Sequence, residues 1–517
     1  MTHKEEIEAL LAQPDKLLMR KPFTRGADLD ISQIGDVDEV YLNNKVKANL
    51  PKYMRIVIPQ EQYLQELDPQ CHAVLFDENI PSLCVKVKKD SFVELDYEKM
   101  AVSFQRNIRD KRFLHLSGNP MQFTLMDENP TDETKEDFTT FKQYWDLRNM
   151  DGMRNKMIET QLSCGDAGLL FYFNYKGEIK CRLISFMDGY VICTHKDQNG
   201  ETLLETIYYS EDGVEYIDSY DDEYMYRYTN DMGAVVDETE IRAGWRWHKP
   251  VKHGFKEIPL ITHRGPVAWE DAQSIITNYE ILYNIFNAIQ KRLGWGMLYI
   301  KGKFKQQAKK IAGSVILNDD SLDGNGEAKF LAPPSPDNII KTLELMEETI
   351  QKCAGCTFIL PKDIKMSGDV SGIAVKFTQG LDLETAQRGA IDWQNVADKM
   401  VRLFKHGLAK ELVQKGINQK AVTKFPNMRI NAFIKVWSPQ SDTEYNNMLV
   451  ASVAGGILSK ETATECNTES KPDELSRIKR EKETDFQNEL NQSRAKKELD
   501  KEFSDNNNNI QTNKEDK

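Results

Sequence analysis

The chain has 517 residues, of which 40% are hydrophobic and 29% are charged, and its formal net charge is -13 at pH 7. At roughly 150 residues per domain, this length predicts about three folded units whose cores need no disulfide or metal. Because the net charge is negative, the chain as a whole cannot bind DNA broadly by neutralising its phosphates. A negative net charge is compatible with a surface along which DNA moves. No run of residues approaches the roughly 20 apolar positions of a membrane span, and we expect no signal peptide.

The beginning of the chain is polar and charged. We expect a partly ordered arm over residues 1–50, with one short helix at residues 5–11. Short apolar runs at residues 55–59 and 73–76 are typical of strands.

Helices and then strands follow in the next part of the chain. Residues 138–154 and 154–164 carry apolar side chains at helical spacing, which predicts two successive helices. Residues 169–174 and 179–185 are strand-like runs joined by a short turn that contains Gly, which predicts a hairpin. Together with later strand-like runs, this hairpin predicts an antiparallel meander over residues 160–248.

Two long helices with short strands between them come next. Residues 269–292 predict a helix with acidic residues in its first turn, residues 297–335 predict short strands, and residues 337–353 predict a second helix. The first helix carries apolar residues at alternating spacings of four and three, a narrow seam that suits packing against a neighbouring helix. This seam consists of Ile275, Tyr279, Leu282, Phe286 and Ile289.

A loop and a very long helix follow. Residues 358–370 predict a loop because they contain proline, glycine, serine and aspartate. Ser371 is a suitable N-cap for a helix over residues 372–415. Gly380 and Gly389 lie inside that helix and predict a kink.

The last part of the chain is predicted to be mostly helical. Residues 429–437 predict a strand and residues 444–454 a helix, and Ser459 is positioned to cap another helix. The charged segment 471–517 lacks sustained apolar periodicity, so we expect a frayed helix that passes into disorder.

Four local stretches, in this order of elements, resemble one known family. The first is residues 165–172, which a hairpin follows. Residues 256–259 (KEIP) lead into the first long helix, residues 371–376 (SGIAVK) follow the loop, and residues 455–463 (GGILSKETA) form a turn between helices. In order and spacing they are similar to the portal proteins of long-tailed bacteriophages. The resemblance covers roughly residues 50–466.

The resemblance implies an α+β portal fold built from a wing, a two-helix stem with a β-rich clip inserted in it, a tunnel loop, a long kinked helix and a helical crown. The implied boundaries are an N-terminal arm (1–50), wing (51–268), first stem helix (269–292), clip (293–336), second stem helix (337–354), tunnel loop (355–370), long kinked helix and wing strand (371–441), crown (442–470) and charged tail (471–517).

The resemblance also implies a non-enzymatic role. It implies a ring of 12 copies at one capsid vertex, through which DNA is packaged and ejected, with assembly in the host cytoplasm. Its implied partners are other copies of itself, the large terminase, a head-completion adaptor, the major capsid and scaffolding proteins, and double-stranded DNA; no cofactor or membrane is implied. Identical subunits with leftover apolar faces close into a ring through head-to-tail contacts, which is consistent with this expectation.

Two groups of residues are the expected functional sites. The clip tip, formed by Asp319, Asp320 and Asp323, is expected to dock the terminase and then the adaptor. The tunnel loop is expected to face the channel, where its lysines touch phosphates transiently while its carboxylates keep the net contact weak. Its channel-facing residues are Lys362, Asp363, Lys365, Met366 and Asp369.

Two other functions remain as alternatives. One is another virion structural protein, such as a head–tail adaptor or minor capsid protein, and the other is a metal-dependent nuclease. The acidic run that begins at Asp218 is more typical of a solvated surface than of a metal site, and Phe330 occupies the position where a calcium loop at Asp319 would need glutamate. The lone pair Cys353 and Cys356 lacks further metal ligands, and the eight scattered cysteines predict reduced, packed thiols. A phosphate-binding GxxxxGK[ST] motif is absent, so we expect the packaging motor to be another protein.

Overall fold

The computed structural model describes most of the chain in two compact units. The first comprises residues 1–365 and 378–438, and the second residues 366–377 and 439–517. Within the described part, no helix combines the length and apolar character needed to cross a bilayer. The described residues are 3–18, 59–76, 99–127, 130–231, 239–293, 297–301, 309–311, 314–316, 327–331, 337–358, 379–438, 442–467 and 474–512.

Helices and strands both contribute to the described residues, in agreement with the predicted α+β class. The α-helices are α1 (His3–Leu11), α2 (Pro14–Leu17), α3 (Gln60–Leu67), α4 (Ala73–Phe76), α5 (Phe104–Ser117), α6 (Asp132–Leu147), α7 (Met150–Cys164), α8 (Gln273–Leu293), α9 (Asp337–Ala354), α10 (Gly380–Gln414), α11 (Ala421–Asn427), α12 (Asp442–Ala454), α13 (Lys460–Cys466) and α14 (Glu474–Thr512). The strands are β1 (Gln122–Leu125), β2 (Asp166–Phe173), β3 (Ile179–Ile184), β4 (Val191–Lys196), β5 (Thr202–Glu211), β6 (Val214–Tyr220), β7 (Tyr224–Thr229), β8 (Thr239–Arg242), β9 (Trp245–His248), β10 (Val251–Lys252), β11 (Leu260–Arg264), β12 (Met297–Lys301), β13 (Lys309–Ile311), β14 (Ser314–Ile316), β15 (Glu327–Leu331) and β16 (Ile430–Phe433).

The predicted antiparallel strands within residues 160–248 are confirmed, but they belong to two sheets and not to one meander. In the larger sheet, which is the meander, strands pair in the order β4-β5-β6-β7-β9-β8, with β10 added beside β7. The predicted hairpin is β2–β3, and β11 pairs with the other edge of β2. Positive-φ glycines form the turns, for example Gly177 between β2 and β3 and Gly213 between β5 and β6.

The first residues of the chain cover one face of the meander. Helix α1 forms as predicted, and buried leucines of α1 and α2 pack on β5, β6 and β7. The Tyr228 hydroxyl donates to the carbonyl oxygen of Leu11 at 2.7 Å, and His195 Nε2 lies 2.9 Å from the carbonyl oxygen of Leu17. These bonds satisfy backbone groups at the helix ends, so residues 3–18 form part of the folded sheet domain.

The core of the first unit lies around the second half of α10. Phe141 and Trp145 of α6 pack against Phe404 with ring centroids 5.7 and 5.2 Å away. Each of these rings is almost fully buried, and burial of such side chains contributes roughly 1.5–3 kcal/mol apiece. Gly407 lets α10 approach β3, because a Cβ atom there would collide with Ile179.

Two local predictions are wrong. Residues 73–76 form helix α4, although they were expected to form a strand. The break between α6 and α7 lies at Asn149, in the left-handed region at φ 52°, and not at residue 154. The predicted strand at residues 55–58 and the start of the long helix at residues 372–378 lie outside the described residues.

The second unit is helical where it is described. Ser459 caps α13 as predicted, with its hydroxyl accepting the Thr462 amide at 3.0 Å. The expected disorder of the tail is wrong over Glu474–Thr512, which is one helix of 39 residues. Glutamate, lysine, arginine and glutamine have high helix propensity, and this composition outweighs the missing apolar periodicity.

Candidate functional site

The first of the two long helices, α8, is held through polar side chains. Its most deeply buried positions follow a four-residue spacing and include Glu280 and Asn284. The Asn284 side chain bonds both backbone groups of Met100, accepting from its amide at 2.8 Å and donating to its carbonyl at 2.7 Å. Glu280 accepts the Val102 amide at 2.8 Å. These hydrogen bonds therefore hold residues 99–102 against helix α8.

His72 completes this polar contact. Its Nδ1 lies 2.7 Å from Glu280 Oε1, and its Nε2 lies 2.8 Å from the carbonyl oxygen of Glu66. Burial opposes the charged imidazole, but the hydrogen bond and charge of Glu280 outweigh burial and raise the pKa of His72, with Asp68 adding a smaller effect. The residues lie 208 positions apart in the chain, so no local sequence pattern indicates this pair.

The five residues of the predicted stem seam differ in their surroundings in the structure. Ile275 and Tyr279 pack partly against the core of their own subunit, and Tyr279 meets the Phe104 ring edge-to-face at 5.1 Å. Leu282 and Phe286 are half-buried, and the side chain of Ile289 lies outside the described residues. Packing of this seam against a neighbouring subunit stays a prediction.

A β module does lie between α8 and α9, as predicted. Strands β12 and β15 pair antiparallel, with Met297 opposite Leu331, and β13 pairs with β14. The strand β13 was not predicted. The expected docking residues Asp319, Asp320 and Asp323 lie in residues 317–326, outside the described part.

Two hydrogen bonds hold the root of the predicted tunnel loop, which is the segment 354–358 where the loop begins. Arg112 donates to the carbonyl oxygen of Ala354 at the end of α9, at 2.7 Å. The buried carboxylate of Asp382, in the first turn of α10, accepts the Thr357 amide at 2.9 Å. The beginning of the loop is therefore tied to the helix that follows it.

An aromatic chain joins this root to α8. Phe104 stacks on Phe358 at 5.7 Å and meets Tyr279 of α8 edge-to-face at 5.1 Å. Lys111 lies 5.9 Å from the Phe358 ring centroid, within cation–π range. The expected channel-facing residues Lys362, Asp363, Lys365, Met366 and Asp369 lie outside the described residues.

Residues that suggested other chemistry have structural roles. Asp218 is buried and forms a bidentate pair with Arg227, at 2.7 and 2.8 Å. Cys356 is a free, buried thiol whose pKa is raised to about 12 by burial, while its neighbour Cys353 is exposed. Among the described residues, no group of three or more His, Cys, Asp or Glu side chains is arranged to hold a metal.

Comparison with protein families gives one match. A family model described as "Phage portal protein, SPP1 Gp6-like" matches residues 85–488, which is more than three quarters of the chain. No match is found among curated proteins. The matched range includes the meander, both long helices, the β module between them and the long helix α10.

Proposed function

Because this chain belongs to the phage portal protein family, we propose that it forms a 12-membered ring at one capsid vertex through which DNA is packaged and later ejected. The family is a structural one, and we infer that this chain has no enzymatic activity. The family match over residues 85–488 is the observation that carries this proposal. The order of helix α8, β module and helix α9 supports it, because that order fits a stem interrupted by a clip.

We assign the partners by position in this fold. The clip, residues 293–336, would bind the terminase during packaging and the head-completion adaptor afterwards. The wing and crown would face the capsid and its scaffold, and the tunnel loop would touch DNA. The pinned loop root supports the last assignment, because a loop that meets moving DNA needs a fixed base.

Electron microscopy of the purified protein tests the ring. We expect closed rings with a central channel, and a count of the subunits checks the number 12. A compact monomer without a pore would contradict the proposal.

Deletion of residues 362–369 tests the tunnel loop separately. We expect this variant to form rings, because the bonds at the loop root involve residues outside the deletion. DNA packaging should be blocked, as measured by nuclease-protected DNA in assembled heads. Normal packaging by the deletion variant would contradict the loop assignment but not the ring.

A further inference from the structure

A large open cleft lies along the first half of helix α10 in the first unit. Its volume is about 1390 Å³. One wall is formed by β4, β5 and β11, and the other by α5, the end of α9 and α10. Cavities that bind small molecules usually measure about 300–1,000 Å³. The cleft is therefore large enough for a small molecule, and the charges on its walls indicate which kind.

The walls of the cleft carry more basic than acidic side chains. Four acidic residues line it, namely Asp197, Glu205, Asp271 and Asp392. Burial raises the pKa of Glu205, which favours the uncharged form of that side chain. Six basic residues face these four: Arg112, Lys196, Arg264, Lys352, Arg388 and Lys399. Although the whole chain has a formal net charge of -13, the cleft therefore favours anions.

Half of the basic residues have partners within the protein. Arg264 and Lys352 lie 3.8 and 3.7 Å from carboxylates, and Lys399 donates to a backbone carbonyl at 3.1 Å. Among the described residues, the other three basic side chains form no ion pair. One of them, Lys196, belongs to strand β4 on the opposite wall. The remaining two are the arginines of α5 and α10.

The arginine of α5, Arg112, has a donor that the protein leaves unused. Its Nη2 donates to the carbonyl oxygen of Ala354 at 2.7 Å, which caps the end of α9. Its Nε is closed off from solvent and has no hydrogen-bond partner in the described part of the chain. Burial has the largest effect on the pKa of Arg112 and lowers it. Because a buried cation without a counter-charge is costly, an anion in the cleft would stabilise this side chain.

The arginine of α10, Arg388, lies where α10 meets α5. A Cβ atom added to the next residue, Gly389, would lie 3.3 Å from the side chain of Leu116, which is one turn after Arg112 on α5. Arg388 is exposed and forms neither an ion pair nor a hydrogen bond within the described ranges. Asp392 follows one turn later on α10 but is not paired with it. Two guanidinium groups without counter-charges therefore line the same part of the cleft.

We propose that Arg112 and Arg388 bind a doubly charged phosphate group, either free phosphate or the terminal phosphate of a larger molecule that occupies the rest of the cleft. A guanidinium presents paired N–H donors that match two oxygens of a phosphate. A terminal phosphate carries about two negative charges near pH 7, which two arginines neutralise. This inference goes beyond the proposed function and does not require a ring.

Equilibrium dialysis of the purified protein with labelled inorganic phosphate, at constant ionic strength, tests the site. We expect saturable binding of one phosphate per chain. Unlabelled adenosine monophosphate should displace the label, whereas acetate, with one charge, should not do so at the same concentration. Stronger displacement by adenosine monophosphate than by unlabelled phosphate would identify a larger ligand, and weaker displacement would identify free phosphate. No saturable binding, or equal displacement by acetate, would overturn the proposal.

Three substitutions locate the binding. Loss of one charge-assisted hydrogen bond weakens an association roughly tenfold or more, so we expect that effect for Arg112→Gln and for Arg388→Gln. Arg429→Gln is the matched control, because Arg429 is an exposed arginine outside the cleft, and it should bind phosphate like the wild type. Equal phosphate binding by all three variants would refute the site. If Arg112→Gln does not fold, as judged by its melting curve, the result for Arg388→Gln decides.

The outcomes separate this inference from the function. A wild type that binds phosphate but forms no rings contradicts only the proposed function. A wild type that forms rings but binds no phosphate contradicts only the assignment of the cleft.

Discussion

The imidazole of His72 faces a hydrogen-bond acceptor at each of its two ring nitrogens. A neutral imidazole donates only one proton, so the protonated ring satisfies both Glu280 and the carbonyl oxygen of Glu66. The raised pKa of His72 agrees with this geometry. Segment 59–76 is therefore held to helix α8 by a buried charged pair, and removing one partner of such a pair is costly.

We expect the contribution of His72 to stability to depend on pH. Because its folded-state pKa lies above the unfolded value, the stabilisation is complete below the ordinary histidine pKa and is lost as pH rises through the folded-state pKa. His72→Asn should therefore lower the melting temperature most near about pH 6 and least near about pH 9. Melting curves of both proteins across this range measure the difference. A difference that does not change with pH would contradict the protonated pair.

The buried face of α8 shows what an apolar sequence pattern does not reveal. Apolar spacing selected Ile275 and Tyr279 for a contact between subunits, which stays a prediction, and both side chains also pack partly against the core of their own subunit. The face that is buried most deeply contains Glu280 and Asn284, whose partners are backbone groups of a distant segment. A polar buried face cannot be recognised from apolar periodicity, because its stabilisation comes from specific hydrogen bonds.

At the scale of elements, local sequence patterns predicted most of the helices and strands in the described part of the chain. The hairpin β2–β3 and the strands β12 and β15 have alternating side chains or turn glycines, which are local signals. Helix α4 was missed because four apolar residues fit a strand and a helix equally well. The first residues of the chain gave no signal for their position on the sheet, since that contact depends on side chains about 200 residues away.

The junction between α10, α6 and the β2–β3 hairpin depends on one buried carboxylate. Glu411 of α10 accepts from Arg148 and Lys415, each at 2.8 Å, and from the Ile179 amide at 2.9 Å. Glu178 at the start of β3 contacts the same two cations. This network fixes the hairpin against the end of the long helix.

We expect Glu411→Ala to destabilise the first unit strongly. Loss of the fully buried carboxylate leaves the Arg148 guanidinium, whose side chain is only 11% exposed, without its closest partner, and breaking such a buried pair typically costs about 3–5 kcal/mol. Thermal unfolding should show a clearly lower melting temperature. Glu384→Ala removes an exposed carboxylate from the same helix and serves as the control. Equal melting temperatures for the two variants would show that the network contributes little.

At the scale of the whole molecule, the proposed function places a strongly acidic chain around a polyanion. The formal net charge of -13 per chain repels DNA at long range, so DNA contact must come from a few local cations. In the predicted tunnel loop, Lys362 and Lys365 are each accompanied by a nearby aspartate. Balanced charge lets DNA slide, because tight phosphate binding would stop movement.

Asp363→Asn combined with Asp369→Asn should therefore make the ring hold DNA more tightly and package it more slowly. Removing a carboxylate near a phosphate is worth on the order of 1 kcal/mol in water, and the effect should shrink as salt is added. Fluorescence anisotropy with duplex DNA and the rate of packaging measure both effects. Asp212→Asn with Asp222→Asn makes the same charge change at exposed turns of the meander. If both double variants bind DNA equally, the loop charges do not set the contact.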